Sequence, residues 1–210
     1  MMACEIKICG LTTLADARAA WEAGADYLGF VLFAGSARAV KPADLARIAG
    51  RLDGRAPLIG VFVNQPAAEV ARIAADCNLR AVQLHGDEAW PDYAGLPVPV
   101  WRAFRLVSGA PRPNPADWPA ARFVMDAAVA GRYGGTGRTA DWAAAGKLAR
   151  RWPLMLAGGL TPANVGEAVR RVRPLGVDVA GGVERAPGRK DRRQMREFVR
   201  FARAAAETEN

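Results

Sequence analysis

Eight short apolar runs punctuate the chain, and most intervals between them carry apolar residues at helical spacing. The runs cover residues 5–9, 27–32, 57–63, 81–84, 98–104, 122–126, 153–157 and 177–180. Their lengths and the turn residues that bound them predict strands. The intervals predict helices over 14–23, capped by Thr12 or Thr13 and ended by Gly24, then over 42–52, 66–76, weakly near 88–93, over 141–151, and from Thr161 and Pro162 to Arg173. The proline-rich segment 111–119 leaves little room for a regular helix.

Strands alternating with helices, without a linker or a break in composition, predict an α/β protein. The architecture expected is a single (β/α)8 TIM barrel of parallel strands over residues 1–210, with an open doubly wound sheet as the alternative. The alternation is weakest after the fourth and fifth strands.

Two strand ends near the C-terminus are nearly alike. Leu154-Met-Leu-Ala-Gly-Gly-Leu160 and Val177-Asp-Val-Ala-Gly-Gly-Val-Glu184 each close in a glycine pair, Gly158-Gly159 and Gly181-Gly182. One such pair reads as a tight turn. Two at successive strand ends point to an anion site, because glycine lets backbone amides approach a ligand closely and the loops after strands 7 and 8 are the usual phosphate site of such barrels.

Composition narrows the class. A chain of 210 residues has enough material for one sizeable core, or at most two small ones, and 51% hydrophobic with 24% charged residues describes a soluble globular protein. No apolar run approaches the roughly 20 residues that span a bilayer. Residues 1–5 lack a leader pattern, so the expected setting is cytoplasmic, without a membrane partner. Cys4, Cys9 and Cys77 have neither zinc-site nor disulfide spacing and read as thiols, with no metal.

The net charge of +8 raises nucleic acid as a partner, since residues 185–203 hold eight Lys or Arg against Asp191 and Glu197. Those charges alternate with Met195, Phe198, Val199 and Phe201, which predicts instead the wet face of a terminal helix. No nucleic-acid reader motif is present. A small anionic substrate would also benefit from the field.

Chemistry in such barrels gathers at the C-terminal strand ends. Cys9 ends the first strand in Lys7-Ile-Cys-Gly10, and alternation puts Lys7 and Cys9 on one face. Arg38 lies beyond the second strand, where an arginine can clamp a carboxylate. Gln83 and His85 share a face at the end of the fourth, and Asp126 closes the sixth. Gly135-Thr-Gly-Arg-Thr-Ala140 formally fits a dinucleotide fingerprint, but it starts nine residues past the strand end and no acidic residue lies near position 160. It reads as a mobile phosphate-side loop or lid.

Taken in order, Lys7-Ile-Cys-Gly10, Gly29-Phe-Val31, Ser36 with Arg38, Gly60-Val-Phe-Val63, Gln83-Leu-His-Gly86, Asp126, Gly134-Gly-Thr-Gly137, Asp141-Trp142, Ala157-Gly-Gly-Leu160 and Gly182-Val-Glu184 resemble the phosphoribosylanthranilate isomerase family over essentially the whole chain. The resemblance implies an Amadori rearrangement in tryptophan biosynthesis, with Cys9 as general base and Asp126 as general acid. It further implies that Arg38 contacts the anthranilate carboxylate and that the two glycine junctions cradle phosphate. A small phosphoribosyl substrate, no cofactor, and a monomer or homodimer are expected. The chain departs from the family pattern at Gly181, usually a serine, and at Ala34, Ala37 and Ala140.

The reaction needs an acid for the ring oxygen and a base for the C2′ hydrogen, on opposite sides of the sugar. A carboxyl group serving as acid needs a dry setting. A thiol serving as base needs its pKa lowered, for which Lys7 is the candidate cause. Two rivals remain at this point: a two-substrate histidine and tryptophan pathway isomerase, which would carry an aspartate where Cys9 stands, and a non-catalytic barrel that only binds sugar phosphates.

Overall fold

The computed structural model describes residues 4–52, 54–126 and 141–207. Its barrel strands are β1 (Glu5–Ile8), β2 (Tyr27–Val31), β3 (Leu58–Phe62), β4 (Ala81–Leu84), β5 (Val100–Val107), β6 (Arg122–Met125), β7 (Leu154–Leu156) and β8 (Gly176–Val179). Each pairs in parallel with its successor, and β8 returns to β1 through Ile6↔Val177 and Lys7↔Asp178. The expected parallel barrel is therefore closed, and an open doubly wound sheet is excluded.

Helices α1 (Leu14–Glu22), α2 (Pro42–Leu52), α3 (Ala67–Asp76), α4 (Trp90–Tyr93), α5 (Trp142–Ala149) and α6 (Val165–Val172) follow β1 to β4, β6 and β7, and α7 (Arg192–Glu207) follows β8. Thr13 caps α1 by accepting from the Asp16 amide, while Thr12 donates to the Gly188 carbonyl at 2.6 Å. The segment after β5 forms only a 3-10 turn, Pro115–Asp117, as its prolines predict.

Two elements differ from expectation. Strand five starts at Val100 because Pro99 has no N–H for the ladder, and it runs on to Val107. There Ser108 and Gly109, at φ 51° and 80°, turn the chain so that Ala110–Arg112 pairs back antiparallel. The basic stretch 185–203 is not one helical face either. Its start is a hairpin of Glu184–Ala186 with Arg189–Lys190, and Lys190 is 2% exposed because its ammonium has a carboxylate partner inside. In α7 itself Met195, Phe198 and Val199 are buried, but Phe201 is 39% exposed. No helix among the described residues is long and apolar enough to cross a membrane.

Strand alternation divides the apolar residues into two layers. Ile6, Ile8, Leu28 and Phe30 face the helices, whereas Ile59, Ala81, Trp101, Ala103, Val124, Met155 and Ala157 fill the barrel. Lys7, Cys9, Gln83, Asp126 and Asp178 have the inward parity as well. Gly29 makes room for them, since a Cβ there would come within 2.8 Å of Cys9 Sγ and 3.0 Å of Lys7 Cε. The apolar plug thus forms the floor beneath a polar upper layer.

Candidate active site

Above that floor lies a cavity of about 330 Å³ at the C-terminal end of the strands. It is lined by Cys9, Arg38, Gln83, His85, Asp126, Gly158, Gly159, Gly181 and Gly182, so nine of the ten residues singled out by sequence meet around one space. The tenth, Lys7, is fully buried beneath it. Closure of the barrel brings β1 and β8 together, and Lys7 Nζ donates to Asp178 Oδ2 at 2.9 Å.

Cys9 is 8% exposed, and burial pushes its thiol above the ordinary value. The Lys7 ammonium pulls the other way, but Asp178 beside it opposes that pull. The expected lowering by Lys7 is therefore corrected: desolvation wins. For Lys7, burial acts downward, yet the attraction of Asp178 and Cys9 outweighs it and holds the pKa above the ordinary lysine value. The lysine is charged.

Asp126 and His85 face each other, with His85 Nε2 3.5 Å from Asp126 Oδ2. On the far side of the ring, Gln83 Nε2 lies 2.9 Å from His85 Nδ1. With the amide donating there, the imidazole carries its hydrogen on Nε2, towards the carboxylate. The histidine is thereby an oriented neighbour of Asp126. Its own loop is held by Arg102, 1% exposed, which donates to the carbonyls of Leu84 and Gly86 and to Glu88 Oε2, each at 2.8 Å. Glu88 in turn accepts from the Asn64 and Gly86 amides.

The glycine junctions adjoin. Gly158 and Gly159 take φ of 85° and 66°, a region open to glycine without strain, and the Asn164 side chain ties the loop by donating to the Gly159 carbonyl and accepting from the Thr161 amide. A Cβ at Gly182 would land on the Leu160 carbonyl, so the two loops can touch only with glycine there. Arg38 reaches across from the loop after β2 and is held by Glu184 just past the second junction. Its Nε donates to Glu184 Oε1 at 2.9 Å and its Nη2 to Oε2 at 2.7 Å.

Sequence reasoning passed over Asp178, Glu184, Lys190 and the Glu88–Arg102 pair. Asp178 was legible as a charge inside an apolar strand run, at inward parity with Ala180. Its Oδ1, like Gln83 Oε1, is buried without a protein hydrogen-bond partner. The loop 135–140 lies outside the described residues. Among the described residues no group of three or more His, Cys, Asp and Glu side chains is placed to hold a metal ion.

The family model for N-(5'-phosphoribosyl)anthranilate (PRA) isomerase matches residues 6–201. The N-(5'-phosphoribosyl)anthranilate isomerase of Magnetococcus marinus is 46% identical over 204 residues, 97% of each chain. Among solved structures, phosphoribosyl anthranilate isomerase from Thermus thermophilus is 39% identical with a TM-score of 0.84, covering 97% of this chain and 99% of that one. A phosphoribosyl anthranilate isomerase in complex with reduced 1-(o-carboxyphenylamino)-1-deoxyribulose 5-phosphate is 33% identical with a TM-score of 0.80, covering 96% and 99%.

Proposed function

We infer the working of this site from the premise that the chain belongs to the N-(5'-phosphoribosyl)anthranilate isomerase family. Its activity is the rearrangement of that substrate to 1-(2-carboxyphenylamino)-1-deoxyribulose 5-phosphate in tryptophan biosynthesis. Asp126 donates a proton to the ribose ring oxygen, the ring opens to a protonated Schiff base, and the C2′ hydrogen becomes acidic. Cys9, as thiolate, removes it. The enol so formed then settles to the ketone, and no organic cofactor or metal is needed for these proton movements.

The observation that carries the assignment is that Cys9 and Asp126 line one cavity from β1 and β6, strands far apart around the barrel. That separation supports an acid and a base working from different sides of a sugar. His85 Nε2 faces the carboxyl, 3.5 Å from Asp126 Oδ2. The Gly158-Gly159 and Gly181-Gly182 junctions cradle the phosphate through backbone amides, with Gly181 giving up the hydroxyl that serine supplies in the family. Arg38 takes the anthranilate carboxylate. A two-substrate isomerase would place an aspartate at the end of β1, where Cys9 stands.

One chain supplies all these residues, so residues 1–210 act as a single catalytic domain, and monomer and homodimer can work alike. A reducing cytoplasm suits a site built on a free thiol. The test follows loss of substrate fluorescence on turnover. Cys9→Ala and Asp126→Asn each lower kcat by at least ~100-fold, the scale of a positioned acid or base, while circular dichroism and unfolding midpoints stay near the parent's. Full activity in Cys9→Ala ends the cysteine assignment.

A further inference from the structure

Arg38 uses one edge of its guanidinium on Glu184. Nε donates to Oε1 at 2.9 Å and to Oε2 at 3.2 Å, and Nη2 donates to Oε2 at 2.7 Å. A guanidinium has five N–H donors in a planar fork. Engaging the Nε–Nη2 edge leaves Nη1 and the second hydrogen of Nη2 at the end of the fork, and Arg38 lines the reaction cavity.

Glu184 is itself fixed. Its side chain is 4% exposed, and Lys190 Nζ, fully buried, donates to Oε1 at 2.8 Å and to the Ala180 carbonyl at 3.0 Å. Ala180 is the residue before Gly181-Gly182. The hairpin that carries both residues is pinned to α1 and the loop before it, through Thr12 Oγ1 to the Gly188 carbonyl at 2.6 Å and the Lys190 amide to Asp16 Oδ2 at 3.3 Å. The packing of Arg38 agrees with one fixed pose. A Cβ at Gly10 would run into its Cδ, and one at Gly181 would lie 3.3 Å from its Nη2.

From this we propose that Glu184 and Lys190 are positioning residues: Glu184 presets the Arg38 fork for a planar carboxylate, and Lys190 locks that preset arginine to the phosphate junction. The inference rests on the reading of Arg38 as the anthranilate contact. Oε1 is shared by Arg38 Nε and Lys190 Nζ, whereas Oε2 receives Arg38 Nη2; glutamine can keep the shared oxygen but sets an NH2 donor against Nη2, so the two-point grip on the fork is lost. Neither residue touches the reacting carbon.

The experiment is a double-mutant cycle on Arg38→Ala and Glu184→Gln, with kcat and KM for the substrate and Kd for reduced 1-(o-carboxyphenylamino)-1-deoxyribulose 5-phosphate, and inorganic phosphate as a ligand without a carboxylate. Glu184→Gln is expected to raise KM and the analogue's Kd by roughly 10- to 100-fold, the scale of a misaimed binding group, with kcat within about threefold and phosphate affinity unchanged. The double variant is expected to bind no worse than Arg38→Ala alone, because Glu184 acts through the arginine. Lys190→Met is expected to weaken both the analogue and inorganic phosphate. Additive losses in the cycle, or equal losses for analogue and phosphate in Glu184→Gln, overturn the proposal. An Arg38→Ala variant with parental analogue affinity instead overturns the reading of Arg38 itself. Unfolding midpoints of each variant show whether a loss is merely structural. If Glu184→Gln fails to fold, Glu184→Asp, which keeps both oxygens on a shorter arm, replaces it in the same cycle.

Discussion

Gly182→Ala isolates the contact between the two glycine junctions. The added methyl would land on the Leu160 carbonyl oxygen, 2.9 Å from the carbonyl carbon and 3.2 Å from Thr161 Cα, so every neighbour it meets is backbone. No side chain can swing away. To restore ordinary contact the loops after β7 and β8 must part by roughly 1.5 Å. Overpacking of that kind costs about 1–3 kcal/mol of stability. The same displacement spreads the phosphate cradle, and an error of about 1 Å at a positioned site is worth on the order of 100-fold. The expected result is a lower urea midpoint with unchanged m-value, together with increases in KM and in the competitive Ki for inorganic phosphate on that scale. Gly181→Ala is the matched control. Its methyl would meet only Arg38 Nη2 at 3.3 Å and Glu184 Oε2 at 4.0 Å, side-chain atoms that need shift by no more than a few tenths of an ångström, and no backbone. It should keep the parent's stability. If the two alanines behave alike, or if Gly182→Ala keeps the parental phosphate Ki, the touching junctions do not form the cradle.

Two further predictions concern buried charge. The rate of Cys9 alkylation should rise with pH to a midpoint above that of a free cysteine thiol measured alongside, since burial disfavours the thiolate, and inorganic phosphate with the reduced product analogue should protect. A midpoint below the free thiol's would show that Lys7 prevails. Arg102→Met should lower unfolding free energy by about 3–5 kcal/mol, because it leaves Glu88 buried without its cation. A loss under about 1 kcal/mol would mean that the Asn64 and Gly86 amides alone satisfy that carboxylate.

The strands and the inward residues were legible because both follow from local rules. Apolar runs mark the strands, period-two alternation pairs Lys7 with Cys9 and Gln83 with His85, and Asp126 stands at a strand end. What was not legible comes from closure. Lys7 meets Asp178 only because β8 pairs with β1, across 171 positions of sequence, and Arg38 meets Glu184 across 146. The direction of the Cys9 shift is set first by burial, with Asp178 opposing the pull of Lys7; the residue order shows a lysine two positions away, but neither the burial nor the carboxylate. The Thr12 or Thr13 ambiguity has a similar origin. Both could cap α1, and it is the hairpin at Gly188, far along the chain, that claims Thr12. The error over 185–203 was one of composition, since eight basic residues concealed one, Lys190, that is buried by a partner six positions before it.

The two lysine–carboxylate groups under the cavity do different work, and their formal charges say why. Replacing buried ion pairs by apolar residues is often neutral or stabilising, so orientation or field is the better account of them. Beneath Cys9 one lysine faces one aspartate at 2.9 Å, a pair with no net charge. Asp178 offsets part of the pull of Lys7 on the thiol, and desolvation, the largest cause, holds the Cys9 pKa above its ordinary value. A thiolate made there is correspondingly a strong base for a carbon-bound proton. At the junction after β8, Arg38 and Lys190 share a single Glu184, and the group carries one net positive charge. Burial drives the Lys190 pKa down although Glu184 opposes it, whereas hydrogen bonding to the glutamate holds Arg38 above its ordinary value. The group with the net positive charge thus lies beside the Gly181-Gly182 junction, and the neutral pair lies beneath the Cys9 thiol.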